Sequence, residues 1–176
     1  MGYKHLSISS FLFQRGRFVS LFGMAGSGKT ALSLQVLREV GRGIYLSTSG
    51  VSYEGRVRGK WDSLFVNVNS PFELFSAVVE SPGKLPRIVV VDSVNRFFRM
   101  DRKHRPLLMT LNLLKSTPGK VLLTWDMSIN NRVSGHKIML YYSEDVFRTT
   151  GRYLIGNNVK CKFKIKSDGV EGCITS

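Results

Sequence analysis

Eight consecutive residues near the N-terminus have the types and spacing needed to bind a polyphosphate. They are Gly23-Met24-Ala25-Gly26-Ser27-Gly28-Lys29-Thr30, which meet the pattern GxxxxGK[ST]. In such a loop, backbone N–H groups point at the phosphates, glycines permit close approach, and one ammonium group offsets negative charge. We therefore predict that residues 23–30 bind ATP. Lys29 would reach the β- and γ-phosphates, where it also serves catalysis, and the Thr30 hydroxyl would bind Mg²⁺.

A second chemical group follows the apolar run Ile88-Val89-Val90-Val91, after which the chain continues with Asp92 and Ser93. A run of β-branched residues is typical of a strand buried on both faces of a parallel sheet. In P-loop ATPases an acid at the end of such a strand helps to hold the Mg²⁺ shell. Thr30 and Asp92 are therefore the predicted metal pair. Asp92 could also cap the turn that follows, and both roles can coexist.

These groups need a sheet to bring them to one edge, and the hydrophobic pattern predicts one. Strand-like segments at 17–22, 44–47, 65–68, 88–91 and 121–124 alternate with helix-like segments at 30–40, 71–80 and 105–114. After Asn130 the pattern changes to short, hairpin-like pieces with a turn signal at Ser167-Asp168-Gly169. We predict a single α/β domain over residues 1–176, with a largely parallel central sheet flanked by helices and an antiparallel hairpin edge at the C-terminus.

The chain is strongly basic, with 26 Lys and Arg against 12 Asp and Glu and a formal net charge of +14. This charge favours a polyanionic partner such as nucleic acid, and a merely solubilising surface charge is the alternative. No stretch approaches the ~20 apolar residues that span a bilayer, and the first six residues lack the apolar core of a signal peptide. We expect a cytoplasmic protein without a membrane partner.

The two cysteines, Cys161 and Cys173, do not form a CxxC pair. No zinc site is therefore expected. Two reduced thiols are the default expectation for an intracellular protein, and a cross-strand disulfide is the alternative.

Further segments resemble one family of P-loop ATPases. Residues 18–36, Ile44-Tyr45-Leu46-Ser47-Thr48-Ser49-Gly50 and the strand ending in Asp92-Ser93 resemble the RecA/RadA recombinase ATPases, in the style of archaeal RadA paralogues of the RadB type. The resemblance spans about residues 20–166 and implies a RecA-like P-loop NTPase core that binds ATP and Mg²⁺. It also implies binding of single-stranded DNA and modulation of recombination or DNA repair, with a RadA-type recombinase as a candidate protein partner.

The departures from this family concern hydrolysis. Where the family has an Asp-Thr-Glu-Gly motif whose Glu activates water, this chain has Ser49, and serine cannot act as a carboxylate base at neutral pH. Glu54, a few residues on, is the candidate substitute. The family's polar sensor of the γ-phosphate follows the strand at about residue 124, where Thr124 could keep part of this role and Trp125 is a poor replacement for an amide. We predict slow or absent hydrolysis because Ser49 stands where the family has its catalytic Glu. The Phe-x-x-Ala segment that joins recombinase subunits is not found ahead of the core, so the resemblance implies a stripped core.

Two basic segments are the candidate DNA contacts. Residues 96–105, which the resemblance places at the family's first DNA-facing loop, contain Phe97, Phe98 and the cations Arg96, Arg99, Arg102, Lys103 and Arg105. Basic side chains bind phosphates and aromatic faces stack on bases; alternatively, the phenylalanines are core and the arginines a solvated face. Residues 130–137, at the second loop position, add Arg132 and Lys137, and their Gly and Asn content predicts mobility.

A third basic segment is Lys160-Cys161-Lys162-Phe163-Lys164-Ile165-Lys166. Its period-2 alternation predicts a strand with all four lysines on one face and the apolar residues on the other. The lysines could protect an edge strand from aggregation, or they could form a surface for DNA. The resemblance adds a further interpretation, in which Lys162 or Lys164 contacts ATP bound by an adjacent subunit.

Two other functions stay open. A KaiC-like regulatory ATPase module that assembles with protein partners predicts nucleotide-dependent oligomers without salt-sensitive DNA binding. A small-molecule kinase needs an arginine-rich lid, which residues 96–105 can imitate, but no acceptor-site pattern accompanies them.

Overall fold

Strands and helices alternate along most of the chain in this computed structural model, which describes residues 4–175. Residues 1–3 and residue 176 lie outside the described residues. Residues 1–3 belong to the N-terminal segment in which no signal peptide is expected. The strands are β1 (Lys4–His5), β2 (Phe18–Gly23), β3 (Gly43–Ser47), β4 (Ser63–Asn67), β5 (Ile88–Asp92), β6 (Lys120–Asp126), β7 (Asp145–Thr149), β8 (Tyr153–Gly156), β9 (Val159–Ile165) and β10 (Val170–Thr175). The helices are α1 (Ile8–Leu12), α2 (Lys29–Val40), α3 (Pro71–Glu80), α4 (Arg96–Asp101), α5 (His104–Ser116) and α6 (His136–Tyr142), with 3-10 turns at Glu54–Arg56 and Ser81–Lys84.

All ten strands pair into one sheet, in the order β1-β10-β9-β8-β7-β2-β6-β5-β3-β4. The strands from β7 to β4 are parallel, and those from β7 to β1 are antiparallel. The predicted α/β fold, with its largely parallel sheet and antiparallel C-terminal edge, is confirmed. The sequence predicted five parallel strands, however, and β7 is a sixth.

The missed parallel strand depends on a missed helix. Residues 136–142 form α6, which carries the chain from β6 across to β7, whereas the sequence pattern predicted hairpin-like pieces after Asn130. Met139 and Tyr142 of this helix are buried in the core, a spacing too short to show helical periodicity clearly. The predicted mobile loop at 130–137 is therefore partly wrong, since its last two residues begin α6.

Local capping explains where the predicted helix at 71–80 begins. Pro71 occupies the first turn of α3, where a missing N–H costs nothing, and the Ser70 side chain accepts a 3.1 Å hydrogen bond from the Glu73 backbone N–H. The Glu73 carboxylate in turn accepts from the Asn69 N–H at 2.7 Å.

The sheet separates two hydrophobic layers. Helices α1 and α2 cover one face, where the cluster includes Leu32, Leu37 and Tyr45. The other face carries α3 to α6 and a cluster that includes Trp125, which is fully buried. The Trp125 indole N–H donates to the Ser20 hydroxyl at 2.9 Å, so this large side chain is satisfied within the core. Trp125 therefore packs the sheet and does not sense a phosphate.

The prediction of two reduced thiols is wrong, because Cys161 of β9 and Cys173 of β10 form a disulfide. Both are fully buried, and their Cα atoms lie 5.4 Å apart, within the usual range for a disulfide. Cys173 lies within the register shift between Glu171 and Ile174, where Gly172 has φ +118°, and Cys161 pairs in register with Thr175. Only strand pairing reveals this shift, so the sequence could offer the cross-strand disulfide as an alternative but could not select it.

Among residues 4–175, no helix combines the length and apolar character needed to cross a membrane. Within the same residues, no cluster of three or more His, Cys, Asp and Glu side chains is placed to hold a metal ion.

Candidate nucleotide-binding site

The loop 23–30 lies at the carboxyl edge of the parallel strands. It connects the last residue of β2, Gly23, to the first residue of α2, Lys29. Gly28 adopts φ +93°, a backbone conformation that other residues rarely adopt, and a Cβ there would lie 2.6 Å from the Ile165 Cδ1 atom and displace that side chain. This turn aims the backbone N–H groups at the start of α2 into the space outside the strand ends, where ligands bind in open α/β sheets.

Lys29 lies folded into the loop, with only 7% of its surface exposed. Its Nζ donates to the Gly23 carbonyl oxygen at 2.7 Å and to the Met24 carbonyl oxygen at 3.0 Å. Burial lowers the pKa of Lys29, and the nearby carboxylates of Asp126 and Asp92 oppose that shift. A bound anion would stabilise the charged ammonium group, since it would offset the desolvation that disfavours the charge.

A buried hydroxyl in the same loop provides a test of whether a polyphosphate fits. The Ser27 Oγ atom is buried and has no hydrogen-bond partner among the described residues. The Ser27 carbonyl is held by the Thr149 hydroxyl of β7 at 2.7 Å, which fixes the loop from the far side. An unsatisfied buried hydroxyl costs free energy, and a phosphate oxygen bound in the loop would be a suitable acceptor. The donors of this loop therefore fit a polyphosphate.

Asp92 is the centre of a hydroxyl cluster next to the loop. Its Oδ2 atom accepts from the Thr30 hydroxyl at 2.7 Å and from the Tyr45 hydroxyl, and its Oδ1 atom accepts from the Thr124 hydroxyl at 2.6 Å. Burial, and then the negative charge of Asp92, raise the pKa of Tyr45 well above its usual value, so Tyr45 remains a neutral donor. The structure thus brings together the predicted metal pair, Thr30 and Asp92, and their oxygens are of the kind that Mg²⁺ prefers.

Two members of this cluster were not assigned to it from the sequence. Tyr45 was quoted only within a family-like strand, and Thr124 was considered as a γ-phosphate sensor, whereas both hydroxyls bind Asp92. Their position could have indicated this role. Tyr45 and Thr124 lie near the carboxyl ends of the two strands that flank β5, and ligands bind at that edge of a parallel sheet.

Asp126, which the sequence did not single out as a site residue, faces the loop from the end of β6. It pairs in register with Gly23, and its carboxylate forms a 3.4 Å ion pair with the Arg99 guanidinium of α4. The fully buried Asn95 side chain fixes this strand end by accepting from the Asp126 backbone N–H at 2.8 Å and donating to the Ser134 carbonyl at 3.0 Å. Arg99 is therefore paired with an acid beside residues 23–30, which we call the phosphate loop.

The two residues considered for water activation lie on the exposed side of the site. Ser49 follows β3, and its hydroxyl accepts a weak 3.4 Å hydrogen bond from the Arg96 guanidinium. Glu54 lies in the exposed 3-10 turn Glu54–Arg56, and no hydrogen bond or ion pair within residues 4–175 joins its side chain to the phosphate loop. The structure gives no contact that supports Glu54 as the catalytic substitute.

The cations predicted to contact DNA are exposed. Residues 96–101 of the first predicted segment form a helix, and the two aromatic rings of this segment pack against the core. Phe98 is buried in the core and Phe97 is partly buried against the same cluster, so the structure favours the alternative in which these rings are core residues. The exposed cations are Arg96 and Arg99 on α4, Arg102 and Lys103 between the helices, Arg105 on α5, Arg132 in the loop before α6, and Lys137 on α6. Phosphate contact by these side chains stays a prediction.

Known proteins resemble this chain in structure and not in sequence. No protein-family model and no curated protein sequence matches it. Among the solved structures that match is a KaiC-like protein from the hyperthermophilic archaeon Pyrococcus horikoshii, with a TM-score of 0.71 and 14% sequence identity, covering 97% of this chain and 99% of that chain. At this identity the similarity shows the fold alone, a RecA-like α/β domain.

Proposed function

We propose that the chain is a RecA-type protein of the cytoplasm that binds Mg·ATP. The observation that supports this most directly is the group formed by the buried Lys29 ammonium, the partnerless Ser27 hydroxyl and the Thr30–Asp92 pair at one edge of the sheet. Residues 23–30 would hold the phosphates, and Thr30 and Asp92 would hold Mg²⁺, which would neutralise phosphate charge. Thermal unfolding with and without Mg·ATP tests the proposal, since the nucleotide should raise the Tm.

We further propose that hydrolysis is slow or absent, because Ser49 occupies the place where related ATPases have a carboxylate. Replacing Ser49 by Glu is expected to raise the rate of phosphate release at least tenfold, since a positioned general base contributes about 10²–10⁴-fold. Ser49→Gln is the matched control, because it has the same length without a basic oxygen. Equal rates for Glu and Gln variants would contradict the assignment of this position and leave ATP binding untouched.

The proposed macromolecular partner is single-stranded DNA, through which the protein would modulate a RadA-type recombinase in recombination or repair. A net charge of +14 and the exposed cations of α4, α5 and α6 support this proposal. The RadB-like assignment rests on the sequence resemblance described above.

The salt dependence of DNA affinity is the next expected result. If about six phosphates are neutralised, log Kd for an oligothymidine should change with log salt with a slope near 4, because each contact releases condensed counterions. Fluorescence anisotropy at several salt concentrations, with and without Mg·ATP, measures this slope. A slope near zero would remove the nucleic-acid partner from the proposal.

A KaiC-like regulatory module is the second candidate, since the structural neighbour carries that name. This function predicts oligomers that form with Mg·ATP, and it predicts no salt-sensitive DNA binding. Light scattering in the presence and absence of nucleotide, combined with the anisotropy series, separates the two candidates.

A further inference from the structure

The antiparallel half of the sheet has one face that carries a row of lysines. Along β9 the buried residues Cys161 and Phe163 pack into the cluster beneath α1 and α2, while Lys160, Lys162 and Lys164 point to the opposite side and are exposed. Strand pairing aligns this row with side chains of β7 and β8 on the same face. We call this surface the lysine face and define it by Arg148, Tyr153, Ile155, Lys160, Lys162 and Lys164.

Edge protection does not explain the row. In the observed order β9 lies between β8 and β10, and both of its sides are hydrogen-bonded. Lysines discourage aggregation when they lie on an edge strand, whereas the outermost strands of this sheet are β1 and β4. The sequence left edge protection open, and the strand order removes it.

The positive charge of the row is not balanced within the described part of the chain. Neither Lys160, Lys162 nor Lys164 has an ion pair among residues 4–175. Glu171 lies opposite Lys164, but its carboxylate is paired with the Lys166 ammonium. Successive lysines on one face of a strand are about 6.8 Å apart and repel one another. An anionic partner with charges in a line would remove this repulsion.

Apolar surface accompanies the charges. Ile155 of β8 lies opposite Lys160 and is 39% exposed, and Tyr153 lies opposite Lys162. The Lys160 ammonium lies 4.1 Å from the centre of the Tyr153 ring, so the cation and the aromatic ring form one surface. A single nucleic-acid strand offers the matching combination, with phosphates in a row and unpaired bases that contact apolar and aromatic side chains. In a duplex the bases are paired and stacked, so a duplex would complement only the positive charge of the lysine face.

We propose that the lysine face binds single-stranded nucleic acid. The proposal rests on the proposed function, for which it names the surface that holds the nucleic-acid partner. The row runs along β9 towards Ile165, which packs against Gly28 of the phosphate loop, so the bound strand would end beside the nucleotide site.

The test compares oligothymidine affinity for nucleotide-free variants at 0.1 M salt. The triple variant Lys160→Gln, Lys162→Gln, Lys164→Gln should bind about a hundredfold more weakly, and its log–log salt slope should fall by about 2, because three contacts are lost. The matched control Lys60→Gln, Lys84→Gln, Arg87→Gln removes the same charge from other exposed positions and should stay within threefold of wild type. Substitution of the three lysines by arginine should preserve the affinity. This result would show that the weaker binding of the glutamine variant comes from the lost charge and not from altered folding.

The outcomes separate this proposal from the proposed function. If the glutamine variant binds like wild type while a variant of Arg96, Arg102 and Arg105 loses affinity, the lysine face is wrong and the nucleic-acid partner stands. Wild-type protein without salt-dependent affinity would overturn both. Lysine-dependent binding to phosphatidylserine vesicles without binding to oligothymidine would also overturn the proposal, as would affinity that appears only in nucleotide-bound oligomers.

Discussion

Replacement of Lys29 by alanine is expected to abolish the stabilisation of the protein by Mg·ATP. At a nucleotide concentration a hundredfold above Kd, wild-type protein should gain about 2.7 kcal/mol, which for a domain of this size raises the Tm by roughly 5–11 °C. Lys29 is the one cation of the loop and is already held against it by two carbonyl oxygens. Without this ammonium group, the phosphate charge has no partner among the side chains of the loop. Differential scanning fluorimetry measures both shifts.

Lys60→Ala is the control for this experiment, because Lys60 is an exposed lysine in the segment before β4. It should retain the full nucleotide shift. The Tm of each variant without nucleotide provides the baseline, since loss of the two carbonyl contacts can alter stability by itself. A full ATP shift in Lys29→Ala would exclude the loop as the phosphate site.

Replacement of Asp92 is expected to have two separable effects, on stability and on metal dependence. Asp92→Ala should lower the free energy of unfolding by about 3 kcal/mol or more, because the hydroxyls of Thr30, Tyr45 and Thr124 lose their shared acceptor and each unsatisfied group costs about 1–3 kcal/mol. Urea unfolding followed by circular dichroism measures this loss.

Asp92→Asn separates the structural role from the metal role. The amide oxygen can still accept hydrogen bonds, so this variant should be more stable than Asp92→Ala. It lacks the carboxylate charge that favours Mg²⁺, so stabilisation by ATP should depend less on Mg²⁺ than it does in the wild-type protein. Undiminished Mg²⁺ dependence in Asp92→Asn would show that the metal is held elsewhere.

The parts of the site that the sequence predicted are those that lie close together along the chain. The phosphate loop is eight consecutive residues between a strand and a helix, so its backbone geometry follows from local glycine chemistry. Asp92 was predictable because a run of β-branched residues marks a buried central strand, and the end of such a strand is where ligands bind.

Other predictions failed where the sequence pattern was too short to identify a helix, or where one pattern was compatible with two different structures. Phe97 and Phe98 lie among arginines, which is equally typical of a stacking surface and of a core residue on a short helix, and the structure shows the latter. Helix α6 has only two core positions, Met139 and Tyr142, so its periodicity did not separate it from a loop. Because α6 was missed, the parallel placement of β7 was missed as well.

By itself the sequence determined the α/β class and the alternating faces of residues 160–166, and it identified residues 23–30 and Asp92 as the candidate site. Only the tertiary structure decided that Tyr45 and Thr124 share Asp92, that Cys161 reaches Cys173, and that the lysines lie on an interior strand. The physical reason is that glycine dihedrals, β-branching and side-chain alternation act within a few residues. Contacts between distant residues depend on the order and register of strands, which the packing of the whole sheet sets.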